Sequence, residues 1–319
     1  MRKLPLFAPA FVVILITFGD VFRLTVLSGR RDTPNTATPL LLLDRCKREL
    51  LNQIKDGTYS TAPFEKSRLL PPFVNYLRDF QISRQYHLSK CRISKVMTAV
   101  TDAIFCYISN STEFDADNRR ISTENSRDRF CGQQNSARSD VRQVLGPDVT
   151  QFAIVRDPMD RFLSGFADKC LKSLRLDSNV CYLCRGDMSC LLSRLSAYLL
   201  KAQQSRHFDN NILHFAPQTW YCDFFDKYEI IKYRKGPEGS VYMADQLDSI
   251  FQRVGIPKAI REKIHSEVRV GRDYHSTHDS EERKQAEQTL MSNKTMLLML
   301  TRLYYYDFIV FDFPLPILD

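Results

Sequence analysis

The stretch Phe152–Phe166, "FAIVRDPMDRFLSGF", constrains this chain more than any other. Phe152 to Val155 is a strand's length of apolar residues with no polar face, as a strand covered on both sides requires. Arg156 ends the run. Asp157 can cap a helix and Pro158 suits a first helical position, while Met159, Phe162, Leu163, Phe166, Ala167, Cys170 and Leu171 recur at i, i+3, i+4, i+7 spacing. A buried strand feeding an amphipathic helix is the unit from which α/β architectures are assembled. The opposite side of that helix carries Arg161, Ser164, Gly165 and Asp168, with Ser164 two turns beyond Arg156.

An arginine at a strand's end and a hydroxyl on the next helix can converge on one oxyanion, the guanidinium binding it bidentately. In open α/β sheets the ligand crevice lies at those strand ends. The competing reading pairs Arg156 with Asp157 or Asp160 and leaves Ser164 in solvent. A second strand-to-helix junction favours the anion site. "YHLSKCRISKVMTAVTDAIFCYI" alternates through Ile93 and then turns helical, with Met97, Val100, Ile104, Tyr107 and Ile108 on one stripe. Lys95 and Thr98 stand where strand becomes helix, the position at which backbone N–H groups, the helix dipole and a lysine hold a phosphate. The glycines of a Walker loop are missing, which argues against ATP or GTP hydrolysis.

The rest of the chain supplies context. Arg2 and Lys3 precede the apolar run Leu4–Phe18, so residues 1–28 read as an export signal. A cleaved peptide and an uncleaved anchor both fit, and the lack of a strong cleavage pattern favours a membrane anchor. Residues 29–84 are broken by Pro34, Pro39, Pro63, Pro71 and Pro72 and read as a stem, with one amphipathic helix over Leu40–Lys55. From residue 85 to 319, short apolar runs alternate with helical periodicity, the pattern of a central parallel sheet flanked by helices. Cys170, Cys181, Cys184 and Cys190 crowd one irregular segment, and in an exported chain they read as disulfides, with a zinc site as the rival. Nine cysteines leave at least one outside an internal pair. Asn110-Ser111-Thr112 and Asn293-Lys294-Thr295 are glycosylation sequons. A net charge of +8 suits acidic partners, and export removes nucleic acid from among them.

These residues together carry a resemblance. K-x-x-T after one strand and R-D-P-x-x-R-x-x-S after another resemble the 5′-phosphosulfate and 3′-phosphate sites of sulfotransferases that use PAPS, 3′-phosphoadenosine 5′-phosphosulfate. More closely, the chain resembles the Golgi carbohydrate sulfotransferases related to chondroitin 4-O-sulfotransferase. The likeness runs from about Tyr86 to Phe313, through His214, Pro217 and Cys222 in "HFAPQTWYC" and the terminal "LYYYDFIVFDFPL". It departs at Ser94, Val96 and Met97, where many relatives have a proline and a Gly-Cys or Gly-Thr turn.

The resemblance implies a sulfotransferase, P-loop-like α/β fold in the Golgi lumen behind a signal-anchor, with PAPS as co-substrate and no metal. Lys95 and Thr98 would grip the 5′ end, and Arg156 and Ser164 the 3′-phosphate. His214 is the candidate base for the acceptor hydroxyl, with His275 and His278 in reserve. The acceptor it implies is an acidic glycan, a glycosaminoglycan of chondroitin type. "RKGPEG" at Arg234 reads as a turn between a strand and a helix. Two other classes remain in view: a glycan-binding protein with a degenerate donor site, and a glycosyltransferase using the "DAD" of Asp115–Asp117, a string read here as a solvated loop.

Overall fold

The computed structural model describes residues 39–74, 77–124, 129–172, 180–205, 207–222, 227–270 and 280–318. The stretch read as an export signal therefore lies outside the described residues, as do His275 and His278. Among the described residues no helix is long and apolar enough to cross a membrane. The chain divides into two compact units, 1–52 and 53–319. Helix α1 (Pro39–Asp56), expected over Leu40–Lys55, spans the division.

The second unit is built on a five-stranded sheet: β1 (Phe80–Ser83), β2 (Leu88–Cys91), β3 (Ser136–Ala137), β4 (Thr150–Val155) and β5 (Glu229–Lys232), in the order β3-β1-β2-β4-β5. Only β2, β4 and β5 are parallel, with Lys90 opposite Phe152 and Val155 opposite Lys232. The expected all-parallel sheet is thus corrected to a mixed one. β1 runs antiparallel to both β2 and β3. The reason is local. The turn from Arg84 to His87 joins β1 to β2, far too few residues for the crossover that a parallel pair needs. β1 also falls inside the segment 29–84 that composition marks as a stem.

The helices are α2 (Thr98–Ser109), α3 (Ser111–Ala116), α4 (Val141–Leu145), α5 (Pro158–Phe166), α6 (Met188–Ser205), α7 (Asn210–Phe215), α8 (Gly236–Arg253), α9 (Lys258–Val270), α10 (Glu281–Met291) and α11 (Lys294–Val310). Phe152 to Val155 is wholly buried, as its apolar run requires. The Phe152 ring meets Phe105 of α2 at 6.4 Å and Phe251 of α8 at 6.5 Å, which places both helices on that face of the sheet. The "DAD" string is solvent-exposed, as expected, but falls on and just after α3 rather than in a loop, with Asp115 paired to Lys263.

Four disulfides join Cys91–Cys222, Cys106–Cys131, Cys170–Cys181 and Cys184–Cys190, and Cys46 is free and exposed. The crowded cysteines are therefore spent on pairs, which leaves no thiolates for zinc. Cys91–Cys222 clamps the end of β2 to a segment 131 residues away, and closing so long a loop is worth about 5 kcal/mol in the chain-entropy account.

Candidate functional site

Three neighbouring parallel strands deliver a cationic residue beyond their carboxyl ends. Lys95 follows β2, Arg156 follows β4, and Lys235 follows β5 as the N-cap of α8. This is the crevice side of an α/β sheet. The β2–α2 loop has no glycine, yet Lys95 (φ 68°) and Met97 (φ 53°) both adopt the left-handed conformation. That costs roughly 1–2 kcal/mol per non-glycine residue. Fully buried Val96 lies between them and pins the loop. Thr98 opens α2, and its hydroxyl donates to the Ile93 carbonyl at 2.7 Å, closing the loop as a staple. With that proton committed, Thr98 can meet an anion through its backbone N–H.

Asp157 caps α5 by accepting from the Asp160 N–H at 2.9 Å, and Pro158 occupies the first turn, as the sequence indicates. Arg156 is 8% exposed and reaches in two directions. Its Nη1 donates to the Lys95 carbonyl at 3.1 Å, joining the two junctions. Its Nε donates to Asp160 Oδ2 at 2.5 Å, so the pairing with a nearby aspartate is real. The Tyr233 ring lies 4.8 Å from the guanidinium. Asp160 also takes Lys235 Nζ at 2.8 Å and Arg283 from α10, so one buried carboxylate gathers three cations. Burial pushes the Asp160 carboxyl up, but Arg156 and Lys235 overcome it and hold the group below the usual carboxylate range.

Ser164 is 8% exposed and therefore lies in the protein rather than in solvent. Asp160, Ser164 and Asp168 form one i, i+4 ridge along α5 and the π-helical turn Ala167–Lys172 that continues it. Asp168, at the ridge's far end, pairs with Lys95 Nζ. Burial acts to raise its carboxyl, and Lys95, Lys169 and His214 together bring it below the usual range. Burial likewise lowers the Lys95 ammonium, opposed by Asp168.

Arg161, expected on a polar helix side, is almost wholly buried and acts as a brace. Its Nε donates to the Ser94 carbonyl at 2.9 Å and its Nη1 to the Ala216 carbonyl at 2.7 Å, tying the Lys95 loop to the segment after α7. His214 lies on α7, whose N-terminus Asp209 caps at 2.7 Å. α7 meets α5 at Gly165, where a Cβ would stand 3.1 Å from the His214 carbonyl oxygen. Gln218 fastens the β4 end from the other side, accepting from the Arg156 N–H at 2.9 Å and donating to its carbonyl at 2.8 Å. Asp307 of α11 in turn accepts from the Gln218 N–H at 2.6 Å.

Lys95, Arg156 and Ser164 thus stand along one helix ridge, which the His214 helix crosses at Gly165, while Thr98 lies at the start of α2, three residues beyond Lys95. Sequence reasoning named Asp168 on this helix side, Asp160 as a competing partner of Arg156 and Lys235 in a turn, but missed Asp160 as a shared counter-ion, the Asp168 pairing with Lys95, and Arg283. Arg234 and Lys235 do form the turn before α8, but the lysine's reach to Asp160 shows only in three dimensions. Among the described residues no three His, Cys, Asp or Glu side chains gather as metal ligands. The arrangement can bind an extended anion with charge at both ends, one end near Lys95 and the other near Arg156, with an imidazole beside the first.

Comparison with known proteins bears on that chemistry. The model of the sulfotransferase family matches residues 78–314. The chain is 29% identical over 273 residues to the carbohydrate sulfotransferase chst-1 of Caenorhabditis elegans, covering 81% of this chain and 82% of that one. It is 29% identical over 260 residues to the uncharacterized protein C18B2.2 of the same organism, covering 77% and 72%. It is 28% identical over 210 residues to the putative sulfotransferase vep-2, also of Caenorhabditis elegans, covering 62% and 64%. No solved structure matches the chain.

Proposed function

Because the chain belongs to the sulfotransferase family and is accordingly an enzyme of sulfuryl transfer, we propose that it is a PAPS-dependent carbohydrate sulfotransferase acting on a chondroitin-type glycosaminoglycan. The observation that carries this reading is the convergence of Lys95 and Arg156, whose 3.1 Å contact joins two strand ends beside a common helix ridge. The similarity to a carbohydrate sulfotransferase supports a glycan acceptor. The residues fit the donor by charge: PAPS is anionic at its 5′ and 3′ ends, and the two junctions offer a cation for each.

When bound, the donor supplies an activated sulfuryl group on a phosphate leaving group. The chain's part is positioning and charge stabilisation, which dominate transfers of this kind. Lys95 neutralises charge developing between sulfuryl and leaving phosphate, and the loop amides and the α2 dipole assist it. Arg156 and Ser164 hold the 3′-phosphate and fix the register. His214 takes the proton of the attacking glycan hydroxyl, a role suited to an imidazole near neutral pH. The four disulfides support an oxidising compartment, and with the N-terminal apolar run they favour a Golgi lumenal enzyme on a signal-anchor.

The test is transfer of radiolabelled sulfate from PAPS to chondroitin, desulfated chondroitin and unrelated glycans, with wild type and Arg156→Ala. Transfer to the chondroitin series that Arg156→Ala abolishes is expected. Transfer to other glycans alone would replace the acceptor, and no transfer from a folded protein that also fails to bind the donor would favour a glycan-binding role with a degenerate donor site.

A further inference from the structure

The ridge of α5 carries an acid that the reaction described above does not use. Asp168 pairs with Lys95, and Lys169 Nζ lies 3.7 Å from the same carboxylate oxygen. On its other flank stands His214. α7 crosses at Gly165, and Gly165 and Asp168, three residues apart, share a helix face. The charged groups around this carboxylate are Lys95 from the β2–α2 loop and Lys169 from its own turn, with the titratable His214 from α7 beside them, while Arg156 acts on Lys95. One carboxylate therefore addresses both the lysine assigned to the leaving phosphate and the imidazole assigned to the acceptor.

We propose that Asp168 is a positioning residue that exchanges partners during the reaction, holding Lys95 before the donor arrives and His214 once Lys95 has turned to the donor. The proposal rests on the sulfotransfer reading. Lys95 is enclosed, and an enclosed ammonium needs an anion beside it. Donor and Asp168 therefore compete for one cation. When the donor takes it, a part-buried carboxylate is left facing the imidazole, which strengthens the ring's hold on a proton. In the transfer step the acceptor oxygen forms its bond to sulfur, and the bond from sulfur to the bridging phosphate oxygen breaks with its electron pair on the phosphate. The hydroxyl proton passes to His214, whose new positive charge the freed Asp168 carboxylate stabilises. The device links proton removal to donor occupancy.

The experiment titrates His214 by NMR in the full chain labelled with ¹⁵N-histidine, free and saturated with PAP, the donor product without its sulfuryl group. The His214 signal is identified by its loss in His214→Gln. In wild type, bound PAP is expected to raise the His214 pKa by about one unit or more, the shift a newly unpaired carboxylate nearby produces. Asp168→Asn is expected to bind PAP without that rise, and Asp168→Glu to restore part of it. A His214 pKa in wild type unmoved by bound PAP overturns the proposal, as does a rise that persists in Asp168→Asn. A wild-type His214 unmoved by PAP overturns the proposal even if a variant fails to fold, and if Asp168→Asn fails to fold Asp168→Glu serves as the comparison for a wild-type rise. Calorimetry on the same samples separates the two levels: PAP bound with His214 indifferent to Asp168 removes only this inference, whereas no PAP binding removes the sulfotransfer reading with it.

Discussion

Replacing Asp160 with asparagine tests the charge architecture of the site. Asparagine matches aspartate in shape, so the change removes charge without opening a cavity. The carboxylate is 4% exposed and faces Arg156 at 2.5 Å, Lys235 at 2.8 Å and Arg283. Arg156 and Arg283 are themselves buried, and stripping a buried cation of its partner costs about 3–5 kcal/mol. Lys235 is about two-fifths exposed and adds little, because solvent screens it. For a domain of this size each kcal/mol moves Tm by roughly 2–4 °C, so Asp160→Asn should lower Tm by about 6–20 °C. The single tryptophan, Trp220, is buried and reports unfolding by fluorescence.

The pH dependence of the difference is fixed in sign. A carboxyl depressed in the folded state contributes fully above its unfolded pKa of about 4 and loses that contribution as pH falls through the lower folded value. The gap between wild type and variant should therefore hold from pH 8 to about pH 5, start to narrow below about pH 4 and close only as pH falls through the lower folded value. Freed of their counter-ion, the cations should also bind anions better, so PAP should stabilise the variant by more degrees than it stabilises wild type. A Tm loss under about 2 °C, or the same gap at pH 3 and pH 7, would refute the reasoning.

Three further outcomes are expected. Met97→Gly relieves a left-handed backbone and should raise stability by about 1 kcal/mol in denaturant unfolding; a loss would show that the methionine side chain supplies more than the strain removes. Gly165→Ala places a methyl 3.1 Å from both the His214 carbonyl and the Phe215 ring, and should cost roughly 1–3 kcal/mol while lowering kcat more than it raises KM for PAPS. Lys90 is wholly buried in β2, and burial, opposed by Asp102, drops its pKa to about 7. The folded state then binds fewer protons than the unfolded one between about pH 7 and the unfolded value of 10.5, so its contribution to stability improves as pH rises through that window. Lys90→Met should accordingly stabilise by a few kcal/mol at pH 7 and show no gain above about pH 10, whereas a gain that grows with pH would be contrary to this sign.

Much of the site was legible because its pieces are local. Apolar run, arginine, cap, proline and stripe lie within fifteen residues from Phe152 to Phe166, and each follows from short-range stereochemistry. The Lys95 junction was legible for the same reason. Its lack of glycine did not forbid a left-handed loop; Lys95 and Met97 adopt one, with Val96 buried between them. The illegible parts depend on distant residues. Asp160 meets Arg283 across 123 positions and Lys95 meets Asp168 across 73, and no period or spacing announces either pair. Arg161 looked solvated because a polar residue opposite an apolar stripe usually is. Here α7 and the β2–α2 loop close over that side and turn it into the wall of a crevice. The antiparallel β1 escaped notice because the proline-broken composition before it outweighs one short strand.

The measurement that bears most directly on the central claim is thermal unfolding with and without PAP, for wild type and Arg156→Ala. At a PAP concentration about 100 times Kd, binding to the folded state adds about 2.7 kcal/mol, a rise of several degrees. A rise in wild type that Arg156→Ala abolishes, while the variant's own unfolding stays cooperative, is the result expected of a donor site at the β4–α5 junction. A folded wild type indifferent to PAP, or an Arg156→Ala variant stabilised as much as wild type, would contradict it.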